Sequence, residues 1–139
     1  MDEQIFYCKK DNWVKYLLVG SLGFTVAAVY FLPSEKEIPI WVHLVVWGVI
    51  GFVYWIYEGT FTVVLGNSLI QKAGPITWKV PIENIKKIKK QGTHVINHGT
   101  WSLDKVDIHH RRGILSISPA DKDGLVATLS KKNPNIEVF

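Results

Sequence analysis

WVKYLLVGSLGFTVAAVYFL (residues 13–32) and IPIWVHLVVWGVIGFVYWIY (residues 38–57) decide the architecture of this chain. The first carries one charge, Lys15, near its start, and the second carries no formal charge. A bilayer core of about 30 Å is crossed by roughly 20 helical residues, and both segments meet that length. Pro33-Ser34-Glu35-Lys36-Glu37 between them supplies a short polar reversal. The pair reads as a transmembrane helical hairpin over residues 13–57. A cleaved signal peptide fits less well. The apolar run exceeds a usual signal core, Asp2, Glu3 and Asp11 precede it, and no small-residue cleavage site follows.

Charge divides unevenly around the hairpin. Residues 1–58 hold four Lys against six acids, net −2, and residues 59–139 hold ten Lys and two Arg against six acids, net +6. Lys9, Lys10 and Lys15 flank the first span, and the Lys-rich remainder follows the second. The positive-inside bias therefore assigns the cell membrane, two spans and both termini in the cytoplasm. Residues 1–12 form a short cytoplasmic segment, and residues 59–139 a domain on the membrane surface. A basic domain tethered beside a bilayer favours anionic lipid over nucleic acid. Cys8 is the one cysteine, so no intrachain disulfide forms. Its juxtamembrane place makes it a candidate for acylation or simply a free thiol.

Within the spans, Gly20, Gly23, Gly48 and Gly51 fall at similar depth in an antiparallel hairpin. They read as a helix-packing seam, or as the ordinary glycine content of membrane helices. His43 is the one titratable group well inside a span, and it lies within reach of the outer interface.

From residue 60 the period changes to two. TFTVVL, LIQK and ITWKVPI are strand-like runs separated by Gly66-Asn67-Ser68 and Gly74-Pro75. In ENIKKIKKQG, Ile82, Ile85 and Ile88 recur every third residue, which suits neither a clean strand nor a long helix. The reading is a short turn near residues 83–85, then a strand to Gln91. Residues 92–101 read as a loop. Leu103, Val106 and Ile108 are candidate inward positions, Arg111-Arg112-Gly113 turns the chain, and ILSIS pairs back. A helix follows, with Ser118 as cap, Pro119 at its first position and Asp121 three residues after the cap. Leu125, Val126 and Leu129 form its apolar face, and Asn133-Pro134 ends it. About six strands and one amphipathic helix result.

Four motifs in this region, PIENI (81–85), SLDKVDI (102–108), ISPAD (117–121) and NPNI (133–136), carry a family resemblance. The stretch of residues 60–139 resembles the bacterial pleckstrin-homology-like domains of the YyaB type, a group related to the sublancin immunity proteins. The resemblance implies an α+β membrane protein: a PH-like β-sandwich or open barrel, capped by the C-terminal helix and preceded by the hairpin. It also implies a role in protection against a membrane-active peptide. The eukaryotic headgroup pocket needs basic residues around its first hairpin, and VVLGNSLI has none here.

Lys86, Lys87, Lys89 and Lys90, with Arg111 and Arg112, are the candidate anionic-lipid contacts, each basic group adding on the order of 1 kcal/mol near an anionic leaflet. The same lysines also suit a solvated strand face that discourages edge pairing. His94, His98, His109 and His110 are the sole candidates for a metal site. A Gly-flanked loop does not align ligands, and adjacent strand residues point to opposite faces. No Ser, Cys or carboxylate stands in a recognisable nucleophilic or acid–base setting. The expectation is a non-enzymatic, membrane-anchored interaction module without cofactor or nucleic-acid partner, docking a protein or a lipid. A His-based metal hydrolase and an accessory subunit of a transporter are the alternatives.

Overall fold

The computed structural model describes residues 3–31, 37–92 and 100–139. Strand β1 (Glu3–Tyr7) comes first, followed by helices α1 (Asn12–Phe31) and α2 (Ile40–Glu58). Strands β2 (Thr60–Leu65), β3 (Ser68–Ala73) and β4 (Ile76–Pro81) then form consecutive hairpins. A single 3-10 turn (Ile82–Asn84) leads into β5 (Ile85–Lys89). After it come β6 (Val106–His110), β7 (Gly113–Ile117), helix α3 (Lys122–Lys132) and the short β8 (Glu137–Val138). The strands make two four-stranded sheets, ordered β1-β2-β3-β4 and β7-β6-β5-β8.

One core joins both sheets and α3. Val64, Leu69 and Val80 come from the first sheet, Ile85, Ile88, Val106, Ile108, Leu115 and Ile117 from the second, and Leu125, Val126 and Leu129 from α3. The inward row of the first sheet also carries Thr62 and Gln71, cross-strand partners whose side chains hydrogen-bond to one another in the interior. A buried polar pair is tolerable when each member satisfies the other.

Residues 1–12 were expected as a segment separate from the domain, and the structure differs. β1 pairs antiparallel with β2, from Glu3↔Leu65 to Tyr7↔Phe61. Phe6 packs against the core, and Gln4 accepts a hydrogen bond (2.9 Å) from Thr128 Oγ1 of α3. The helical hairpin is thus inserted between two neighbouring strands of one sheet. Residues 7–11 are held further. Lys9 N donates to Ser118 O, Ala120 N to Tyr7 O, and Asp11 N to Trp101 O.

That clamp moves the start of the last helix. Ser118–Ala120 is kept extended by the N-terminal segment, so Asp121, not Ser118, is the cap, and its carboxylate accepts from Gly124 N at 2.9 Å. The three-residue recurrence of isoleucines also has a cause. The pairing of β5 with β6 shifts register between Ile85 and Lys87, and a β-bulge returns Ile88 to the same face as Ile85. β5 ends at Lys89, short of the expected Gln91, and β8 adds a parallel two-residue strand on its other side. Val106 and Ile108 are fully buried, whereas Leu103, expected inward, is 73% exposed.

Both long helices are apolar and long enough to cross a membrane, and Val14 is the one residue buried among the described residues of either. A Cβ added at Gly20, Gly23, Gly48 or Gly51 would meet nothing within 4 Å. The expected close seam between α1 and α2 is absent at these four positions. Side chains of the two helices hydrogen-bond near their far ends, where Tyr30 Oη and His43 Nδ1 lie 2.7 Å apart and Trp47 Nε1 donates to Tyr30 Oη.

Candidate functional site

The two ends of the sheets differ in how their charges are arranged. At the end where the helices enter, four basic groups have carboxylate partners. Lys9 and Lys122 both bind Asp104, Lys10 binds Glu58, and Lys90 binds Asp123. Asp11 accepts from Ser102 Oγ (2.8 Å) and from the Leu103 amide (2.9 Å). The Leu103 amide, then Ser102, holds the Asp11 carboxyl below its ordinary range, and Lys122 and Lys9 do the same for Asp104. Aromatic groups collect at this end too. Tyr57 and Trp101 stack edge-on at 5.4 Å, and Lys10 Nζ lies 4.4 Å from the Tyr57 ring centre.

The sheet itself is fitted to α2 here. The β3–β4 turn residue Gly74 has φ +58, and a Cβ on it would come within 3.1 Å of Ile56 Cα in the last turn of α2. Glycine is required twice over, by conformation and by proximity.

At the opposite end the chain gathers Lys79 from β4, Asn84 from the 3-10 turn, His110 from the end of β6, and Arg111 and Arg112 from the β6–β7 turn. These residues, with Val80 and Pro81, line a cavity of about 330 Å³ that contains no carboxylate. Arg111 N donates to Asn84 O at 3.2 Å, tying the two turns together. Arg112 N donates to His110 Nδ1 at 3.3 Å, which leaves Nε2 as the ring's donor. Burial, then the Arg112 charge, lowers the His110 pKa, so the ring is neutral at pH 7. Among the described residues, neither Lys79, Arg111 nor Arg112 has an ion-pair partner.

The six basic residues singled out from sequence therefore do not form one patch. Lys86 is exposed, Lys87 lies with its Nζ 4.0 Å from the Phe139 ring centre, and Lys90 is paired with Asp123. β5 runs from the cavity end toward the helix end and spreads Lys86, Lys87 and Lys89 along its length, with Lys90 just beyond it. Arg111 and Arg112 stand at the end away from the helices, joined by His110, which the sequence offers only as a metal candidate, and by Lys79 and Asn84, which sequence reasoning passed over. Their signal was weak because the cavity is assembled across two sheets. Among the described residues no group of three or more His, Cys, Asp and Glu could hold a metal ion. His94 and His98 lie outside the described residues.

The family motifs turn out to be framework. Asn133 of NPNI donates to the carbonyls of Ile82 and Ile85 in PIENI, at 3.0 and 3.2 Å. Ser102 and Asp104 of SLDKVDI receive the N-terminal segment. A family model described as "Bacterial PH domain" matches residues 60–133. No curated protein and no solved structure matches the chain.

Proposed function

The chain belongs to the bacterial PH domain family, and from that premise we propose a membrane-anchored docking module whose domain lies at the cytoplasmic face and binds a protein partner or a lipid. The observation that carries this reading is the insertion of the hairpin between paired strands. Tyr7 and Phe61 are register partners, so the chain leaves the sheet and returns to it within about 5 Å. Two spans are the smallest number that can do so, crossing out and back. Lys9, Lys10 and Lys15 beside the entry favour the cytoplasm. Trp13, Tyr54, Trp55 and Tyr57 are exposed or half-exposed near the same boundary, where aromatic side chains suit the headgroup layer. Leu103, exposed beside the first turns of α1, would dip its side chain into that layer.

Docking needs no reactive centre, which agrees with a polar network spent on joining segments. The test is in two steps. Carbonate-washed native membranes should retain the chain, and a photo-crosslinker placed at position 86 or 112 should give a discrete adduct in cells. Release into the supernatant would remove the anchor. Catalytic turnover lost with His109→Ala or His110→Ala would move the protein to the enzyme class. The finer role implied by the immunity relatives predicts that cells lacking the chain become sensitive to a membrane-active peptide, and that the hairpin alone does not restore resistance.

A further inference from the structure

We propose that the cavity lined by Lys79, Asn84, His110, Arg111 and Arg112 is a binding site for a phosphoryl group, on the end of the domain turned away from its own membrane. The inference goes beyond the docking reading and rests on it only for the site's orientation in the cell. Three permanent positive charges are brought to one cavity without a carboxylate among its lining residues. Elsewhere on the same domain Lys9, Lys90 and Lys122 each have an acidic partner. Unbalanced like charges repel, and an anion in the cavity reverses that cost. The donor set suits phosphate oxygens: two guanidinium forks, one ammonium, one amide and the His110 ring N–H. The Arg111 N–H bond to Asn84 O joins the two turns that carry these donors, and the Arg112 N–H bond to His110 Nδ1 leaves the ring's Nε2–H free to donate.

The anion is not the leaflet that holds the hairpin. β4 runs from Ile76, beside the Gly74 contact with α2, to Pro81 at the cavity, about 17 Å of strand. At physiological ionic strength the Debye length is about 8 Å, so leaflet charge is largely screened over that distance. The phosphoryl group comes from a soluble phosphorylated molecule or from the headgroup of a second, facing membrane.

The experiment uses the full chain in nanodiscs of phosphatidylcholine. Pyrophosphate is titrated calorimetrically, and separate phosphatidylcholine vesicles with or without phosphatidic acid are tested for capture. Saturable pyrophosphate binding should weaken about tenfold or more in Arg111→Gln/Arg112→Gln, and also in Lys79→Gln, with unchanged melting temperatures. Lys72→Gln/Lys89→Gln, toward the helix end of the two sheets, should bind within about twofold of the parent. Pyrophosphate binding identifies a soluble source. Capture of phosphatidic acid vesicles alone, sensitive to Arg111 and Arg112, supports the same site with a headgroup as its source. Failure of both probes, or equal weakening by the Lys72/Lys89 control, would overturn the proposal. If labelling put the β6–β7 turn outside the cell while pyrophosphate still bound, the cytoplasmic orientation would fall and the site would stand.

Discussion

Phe6 tests whether the segment before the hairpin is part of the domain after it. A soluble protein can be made by joining residues 3–11 to residues 59–139. Lys10 Nζ and Glu58 Oε2 are 3.3 Å apart, so the ends to be bridged are close. About eight Gly and Ser residues, with a reach of about 15 Å, suffice as a linker. Phe6 packs against the shared core and is partly exposed. A fully buried Phe→Ala substitution costs about 3–5 kcal/mol, and the partial exposure of Phe6 brings the expectation to about 2–3 kcal/mol. For a chain of about 90 residues that is a fall in melting temperature of about 10–20 °C, read by circular dichroism. Ile5, next to it on the other face, is 48% exposed. Ile5→Ala should therefore cost no more than about 0.5–1 kcal/mol, a few degrees. Residues 59–139 alone should melt lower still or aggregate, because losing β1 bares the edge of β2, a TFTVVL strand. The reasoning is refuted if Phe6→Ala and Ile5→Ala shift the melting temperature equally, or if residues 59–139 match the joined protein.

Gly74→Ala should lower the melting temperature of the full chain in detergent more than Gly66→Ala. Both have positive φ, which costs about 1 kcal/mol in a non-glycine residue, but only position 74 also meets α2, so equal effects would deny that contact. Asp11 and Asp104 have depressed pKa values in the folded chain, so their stabilisation is present above about pH 4 and is lost as pH falls through the folded values. Asp11→Asn/Asp104→Asn should therefore flatten the acid limb of stability below pH 4, and an unchanged limb would assign acid unfolding to other carboxylates. Gly20→Ala/Gly48→Ala should not lower the detergent melting temperature, since no atom outside the helix itself lies within 4 Å of either added Cβ; a clear drop would restore the seam.

The local parts of the fold were legible because their signals are local. Apolar length marked the spans, Gly-Asn and Gly-Pro turns marked the β2–β3 and β3–β4 hairpins, and the spacing of Leu125, Val126 and Leu129 marked the buried face of α3. β1 was not legible for the converse reason. EQIFY is five residues long, and its partner strand begins only after both helices. The cap moves for the same reason, since Lys9 N takes the Ser118 carbonyl that would accept the first bond of a helix capped there, and Tyr7 O takes the Ala120 amide. The isoleucine spacing was seen in sequence, but a bulge depends on register with β6. Leu103 broke the alternation and was still counted inward; it answers to α1 instead of the core. Arg111 and Arg112 were visible as a basic pair. Their cavity was not, because Lys79 and Asn84 reach it from the other sheet and its connecting turn.

Side-specific labelling tests the inserted hairpin most directly. In a Cys8→Ser background, single cysteines at Glu3, Glu37 and Lys131 are treated in intact cells with a membrane-impermeant maleimide. All three positions are exposed in the structure. The account predicts that Glu37→Cys reacts at once, while Glu3→Cys and Lys131→Cys react only after permeabilisation. Glu3 and Lys131 on opposite sides of the membrane would contradict it, because β1 could not then pair with β2.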